Sequence, residues 1–432
     1  MDKLTVGLFN DSFPPTIDGV ANAIYNYARV INEKHGNVVV ATPYYPDVVD
    51  DYPFEVIRYP SANVSKKLGY RMGYPFSAAV ISRLRELKID VIHSHCPFAS
   101  TVLARALRSF TGAPVILTYH TKFDYDIEKR TDSTALRKAT ARFMMANINA
   151  CDEVWVVSEG AGENLRSMGY EGSYLVMENG ADYKVGKSAP KDMERVREKH
   201  GLDIQTPTFL YVGRMMWYKG IRLTLDSLKV AKEMGKSFRM IFVGEGVDRP
   251  EIMEYAKECG LMDCCIFTGA IYDRDELKIY YSIADLFIFT STYDTNGLVV
   301  REAAAAYCPS LLVRDSCASE GVEHDISGLI SDENAESVAR EIIKACNDRE
   351  WIAELGTGAA TKVYISWEDA IEKAYSRYRT VVEDFRERTR AEVEDSVVMK
   401  RIVRLRKGYM KGKLTAQDTY KRTSKRIKDI FQ

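Results

Sequence analysis

The chain carries almost no net charge: 60 lysines and arginines stand against 61 aspartates and glutamates, leaving −1 over 432 residues. No overall field therefore selects nucleic acid or a membrane as partner. No apolar run reaches the roughly 18 residues that a membrane-spanning helix requires. The eight cysteines include no C-x-x-C pair. Cys96, Cys151, Cys259, Cys264, Cys265, Cys308, Cys317 and Cys346 are scattered, several in apolar or helical patterns where a free thiol behaves as a small hydrophobe. A reducing cytoplasm is the economical expectation. The opening MDKLTVGLFND lacks the apolar stretch and cleavage site of a secretory leader and is expected to be the first strand of a domain. No G-x-G-x-x-G follows that strand, which argues against a dinucleotide dehydrogenase.

What is present is an alternation. Short β-branched runs at Leu4–Phe9, Val38–Ala41, Val91–His93, Val115–Tyr119 and Val154–Val157 read as buried strands. Helical patterns such as Val20–Asn32 and Phe76–Leu87 lie between them. The alternation restarts with Thr208–Val212, Met240–Val243, Cys265–Phe267, Leu286–Thr290 and Leu311–Val313. It predicts an α/β protein of two facing Rossmann-like domains with parallel sheets. Residues 1–183 form the first domain and 184–365 the second, divided by the polar segment Lys184–Thr206. Helices over about 366–395 return to the first, and 396–432 is a basic tail. From Lys400 onward that tail holds 12 basic and 2 acidic residues.

In open parallel sheets, ligands sit beyond the carboxyl ends of the strands, so the chemistry is sought there. In TSTYDTNGLVVREAAAA (residues 290–306) a strand ends in a polar turn holding Asp294 and Gly297, and a helix opens near Leu298. N–H groups at a helix start, here those of Leu298 and Val299, bind phosphate. Asp294 and Glu302 stand eight apart, about two helical turns, so both can face one ligand. The alternative is a helix cap and a surface ion pair. In YVGRMMWYKGI (211–221), Gly213 turns the chain and Arg214 and Lys219 follow, a fork and a point charge suited to pyrophosphate. The alternative is a solvated basic loop. In FNDSFPPTIDGVANAIYNYA (9–28), Gly19 opens a helix that Asp18 can cap.

These segments resemble family 4 retaining glycosyltransferases. Asp-x7-Glu around GLVVREA is similar to that family's E-x7-E element, with Asp for the first Glu and Asn296 where Phe is usual. The resemblance implies that Glu302 binds the donor ribose and that Asp294 orients the donor sugar. The G-R-x4-K spacing implies that Arg214 and Lys219 hold the diphosphate. Gly19 lies in a loop similar to the glycine loop of Gram-positive diacylglycerol glucosyltransferases, implying a place near donor phosphate and acceptor. VGEG, with Gly244, resembles the family's glycine turn, and the backbone near Ile271 the region that meets the base. His120, in LTYHTKFDYD, matches the family's histidine near the donor sugar and takes a positioning role. The likeness covers about residues 4–380.

A metal site is not expected. His93 and His95 share a strand face and could join His120, but no supporting Cys or acid spacing accompanies them. Asp273-Arg-Asp275 and Asp124-Tyr-Asp126 each spell D-x-D; helix capping accounts better for Asp273, and Asp124 reads as an acceptor contact. No metal or other cofactor is called for; the nucleotide sugar is a substrate. The leaving diphosphate would rest on Arg214, Lys219 and the amides near Gly297–Val299.

The acceptor is read from SKKLGYRMGYPF (65–76), where Lys66, Lys67 and Arg71 alternate with apolar residues and could meet an anionic bilayer. With the resemblance, this points to a membrane lipid acceptor such as diacylglycerol, UDP-glucose as donor, and a cytoplasmic protein peripheral to the membrane. A polysaccharide precursor, a soluble acceptor, a nucleotide-sugar epimerase and a non-catalytic sugar-nucleotide sensor stay open. No nucleic-acid partner is expected.

Overall fold

The computed structural model describes residues 3–16, 18–46, 48–63, 71–123 and 133–387. The first half is built on strands β1 (Thr5–Phe9), β2 (Asn37–Pro43), β3 (Glu55–Tyr59), β6 (Val91–Ser94), β7 (Val115–Tyr119), β8 (Glu153–Val156) and β9 (Leu175–Val176). They make one parallel sheet in the order β3-β2-β1-β6-β7-β8-β9. A short antiparallel pair, β4 (Ser61–Asn63) and β5 (Arg71–Gly73), lies beside it. The second half repeats the plan with β10 (Thr208–Val212), β11 (Arg239–Val243), β12 (Cys265–Gly269), β13 (Leu286–Phe289), β14 (Ser310–Val313) and β15 (Gly328–Ser331). Their order is β12-β11-β10-β13-β14-β15, again parallel.

Helices cover both faces of a parallel sheet, so its strands are apolar on both sides rather than alternating. Val6, Leu8 and Phe9 of β1, and Phe209, Leu210 and Tyr211 of β10, are all fully buried. Each half has its own apolar core. The strand order reverses between β1 and β6 in one sheet and between β10 and β13 in the other. Those two crevices are where open sheets bind ligands.

The last described helix, Trp367–Glu387, returns to the first half. Trp367, Ile371, Ala374, Tyr375 and Tyr378 join the core that contains Val6 and Leu8. Tyr375 Oη accepts from the backbone of Leu4 at 2.9 Å, and Arg377 pairs with Glu153. The segment Lys184–Thr206, read as polar connector, contains the helix Pro190–His200. Its mean polarity hid two buried anchors, Val196 and Leu202, and an ion pair from Arg195 to Glu276. No helix among the described residues is long and apolar enough to cross a membrane.

Candidate active site

The second half supplies most of the charge. After β10, Gly213 donates its N–H to Val243 at the end of β11, and Met215 donates to Glu245. The two strand-end loops thus run backbone against backbone. Gly244, at φ 149°, leaves no room: a Cβ there would lie 1.9 Å from the carbonyl oxygen of Gly213, so only glycine permits this approach. Arg214 stands exposed at the turn. Lys219, nearly buried, donates to Asp294 Oδ1 at 2.5 Å. Asp294 Oδ2 is buried and has no partner. One oxygen of this carboxylate is therefore committed to the lysine and the other remains to accept a hydrogen bond.

Gly297 ends the turn in the left-handed region, at φ 59°, and starts the helix Leu298–Ala305. No side chain caps that helix, which leaves the first N–H groups, from Leu298 and Val299, for a ligand. Asp294 is not the cap, so that alternative falls; Asp273 does cap its helix, accepting from Asp275 and Glu276.

Glu302 is not a surface ion-pair residue. Its carboxylate is buried, accepts from Arg274 at 2.5 Å and from Tyr281 Oη at 3.0 Å, and burial pushes it above the usual range, opposed by Arg274. Burial disfavours the Arg274 cation, but Glu302, Tyr183 and Asp182 together hold it above its ordinary value. Arg274 also reaches Asp182 at 3.1 Å and lies over the Tyr183 ring. Asp182 in turn accepts from Asn22 and Asn26, on the helix opened by Gly19. Arg274 escaped the sequence reading because the D-x-D pattern drew attention to its flanking aspartates. Ile271, half-buried, packs on the second core just after β12.

Apart from Asp182, Lys122 and Glu178, which bond across to the second half, the first half faces this ledge with neutral groups. Asp18 caps the helix Gly19–Val30 by accepting from Ala21. A Cβ on Gly19 would lie 4.0 Å from Leu298 Cδ1, so the two predicted phosphate loops meet across the cleft. His120, at the end of β7, is nearly buried, and its carbonyl accepts from Thr295 Oγ1. Asn296 donates to the carbonyl of Val157, and Ser158 Oγ to that of Thr295. This gives Asn296 its use: an amide that ties the turn to the opposite half. Glu320 accepts from the amides of Glu159 and Gly160, both at 2.7 Å, and Lys122 donates to Thr292. Arg301 pairs with Glu178. The cleft is thus clasped at its rim while Gly19, His120, Lys219, Asp294 and Leu298 share its interior.

The histidine trio takes no metal arrangement. His93 uses both ring nitrogens, on Tyr378 and Thr118, and His95 bonds His120. Among the described residues, one group has ligand atoms close enough to hold an ion, His324, Asp325 and Glu341, and it is mostly exposed. Arg71, expected at the acceptor side, lies on β5 with its guanidinium donating to Ser61 and near the Tyr45 ring. Lys66, Lys67, Asp124, Asp126 and the basic tail lie outside the described residues.

A model described as Glycosyltransferase Family 4 matches residues 17–185, and one described as Glycosyl transferases group 1 matches 192–362. An alpha-monoglucosyldiacylglycerol synthase of Acholeplasma laidlawii is 26% identical over 378 residues, covering 84% of this chain and 93% of its own. Its namesake in Streptococcus pneumoniae is 25% identical over 343 residues, covering 76% and 77%. The sulfoquinovosyl transferase of Arabidopsis thaliana is 24% identical, covering 82% and 69%. Among solved structures, sucrose-phosphate synthase of Thermosynechococcus elongatus superposes with a TM-score of 0.69 at 20% identity, over 88% of this chain and 100% of that one. Anabaena HepE in complex with UDP does so with a TM-score of 0.68 at 16% identity, over 87% and 100%. Both share the fold.

Proposed function

The chain belongs to the glycosyltransferases that join a family 4 domain to a group 1 domain, and from that membership we propose that it transfers a hexose from UDP-glucose to a membrane lipid such as diacylglycerol, with retention of configuration and without a metal. The observation that carries this reading is the convergence at the switch point of the second sheet. Lys219, on the loop after β10, bonds Asp294, on the loop after the neighbouring β13 and just before the uncapped start of the helix Leu298–Ala305, and Arg214 opens that same β10 loop.

The diphosphate lies on the two cations and the helix start. As the bond from the sugar carbon to the diphosphate oxygen breaks, negative charge grows on that oxygen. Fixed positive groups stabilise it at about 2–4 kcal/mol for each well-aimed donor. Asp294 Oδ2 and His120 hold the sugar, and Glu302 accepts from the ribose hydroxyls. The acceptor hydroxyl attacks from the face the diphosphate leaves, through an oxocarbenium-like state, and its proton passes to the departing diphosphate oxygen. The clasped cleft keeps water from the reactive donor.

The names of the relatives support the lipid acceptor: two are called alpha-monoglucosyldiacylglycerol synthases. Exposed Tyr44, Met72 and Tyr74 lie in or next to the 65–76 segment or against its paired strand, which supports a peripheral place at the membrane. The test is transfer of labelled glucose from UDP-glucose to diacylglycerol in anionic vesicles, against a soluble sugar acceptor. A labelled glycolipid with its anomeric bond in the donor's configuration supports the reading. Glucose released with every acceptor unmodified, or a donor that only epimerises, refutes it.

A further inference from the structure

His93, His95 and His120 form one cluster at the ends of β6 and β7. His93 lies 2.6 Å from Tyr378 Oη through Nδ1 and 2.6 Å from Thr118 Oγ1 through Nε2. His95 lies against it, ring centroids 3.9 Å apart and planes tilted by 38°, and places Nδ1 at 2.9 Å from Nε2 of His120. His95 Nε2 is buried and has no hydrogen-bond partner. His120 Nδ1 has no partner among the described residues, yet is not among the atoms closed off from solvent. The residue itself stands where Thr295 of the other half reaches across the cleft.

Burial keeps all three imidazoles neutral; that of His120 is pushed down to about 3, and those of His93 and His95 well below their ordinary value. A neutral imidazole carries one N–H, so a single proton sits between His95 and His120. If His120 donated it, His95 would carry its own proton on the buried, partnerless Nε2. If His95 donates from Nδ1, the partnerless atom is only a lone pair. A buried orphan N–H is the rarer and costlier defect. The second arrangement leaves His120 protonated on Nδ1, the nitrogen not closed off.

We propose that His95 is a positioning residue which holds His120 in the Nδ1–H tautomer, so that His120 offers a neutral hydrogen-bond donor to an oxygen of the bound nucleotide sugar. The role in catalysis rests on the transferase reading above; the tautomer does not. A neutral donor suits this place, because an imidazolium would repel the positive charge that develops on the sugar in the transition state. The close contact with His93, which Tyr378 of the returning helix holds, restrains the His95 ring. The far end of the chain thereby orients a group in the cleft.

The test labels the full chain with nitrogen-15 histidine and reads both ring nitrogens of His120 from long-range proton–nitrogen correlations, assigned with His120→Gln. The wild type is expected to show a protonated Nδ1 and an unprotonated Nε2. In His95→Leu, the His120 pattern shifts toward Nε2–H or averages. With UDP-glucose, kcat of that variant falls roughly tenfold to hundredfold, by analogy with the loss of an outer-shell partner that orients a metal-bound histidine, while KM changes little. His95→Asn, whose carboxamide nitrogen can replace Nδ1 as donor, recovers most of the rate. A wild-type His120 protonated on Nε2 overturns the proposal. So does equal loss of rate in His95→Leu and His95→Asn with matching loss of thermal stability, which marks a packing role. Should His95→Leu not fold, the wild-type spectrum and His95→Asn still decide. If the protein transfers no sugar to any acceptor, the transferase reading falls, and the spectrum still decides the tautomer.

Discussion

The two halves follow the same winding, yet their facing edges differ in kind. At the strand ends of the second sheet stand Arg214, the Lys219–Asp294 pair and the Arg274–Glu302 pair. At those of the first stand a glycine, neutral histidines, backbone carbonyls and a carboxylate, Asp11, already engaged by Tyr59 and the amides of Ala99 and Ser100. One winding thus carries two chemistries, because function resides in the loops at the strand ends. In the proposed reaction, the charged edge serves a diphosphate and the neutral edge serves a sugar whose reacting carbon turns positive. The division also keeps like charges apart: a cation at position 120 would face that carbon.

The largest way to break this comparison is to discharge the second edge. Lys219→Ala or Arg214→Ala is expected to lower kcat about 100- to 1000-fold, as when one preorganised donor is removed; initial rates of glucose transfer check it. Next is Glu302→Gln, expected to weaken UDP binding by about 1.5–3 kcal/mol, the range for a hydrogen bond to a charged group, as titration calorimetry would read.

Arg274→Ala sharpens the electrostatics of the same edge. Burial raises the Glu302 carboxyl and Arg274 lowers it. Without the arginine, Glu302 takes up its proton at higher pH. The acid limb of the rate profile is then expected to move upward, so the variant loses rate on mild acidification while the wild type does not. A parallel fall at every pH would deny Arg274 that role. The smallest effect on rate is expected from Tyr375→Phe, which leaves the Leu4 N–H without its partner. It is expected to cost about 1–3 kcal/mol of stability in denaturant melts with kcat unchanged, because that bond joins the returning helix to the first strand and touches no substrate.

The winding was legible because buried parallel strands are continuous apolar runs, and Leu4–Phe9 and Thr208–Val212 are such runs. Strands with polar faces, Glu55–Tyr59 and Arg71–Gly73, escaped, as did the two-residue Leu175–Val176. Within the cleft, Lys219, Asp294 and Gly297 were legible from local spacing and resemblance. Their pairing was not, since positions 219 and 294 lie on different βα loops and only the order β10-β13 brings them together. Glu178–Arg301 and Glu320 at the amides of 159 and 160 were hidden for the same reason. A contact between halves leaves no periodicity in either.

The central claim is that protein cations stabilise the departing diphosphate. It is tested most directly by single-turnover transfer from UDP-glucose in excess chelator, comparing wild type with Lys219→Ala. The account predicts a full wild-type rate under chelation and a Lys219→Ala rate at least about 100-fold lower. A wild-type rate that vanishes with chelator and returns with a divalent ion, or a Lys219→Ala variant that keeps its rate, would contradict it.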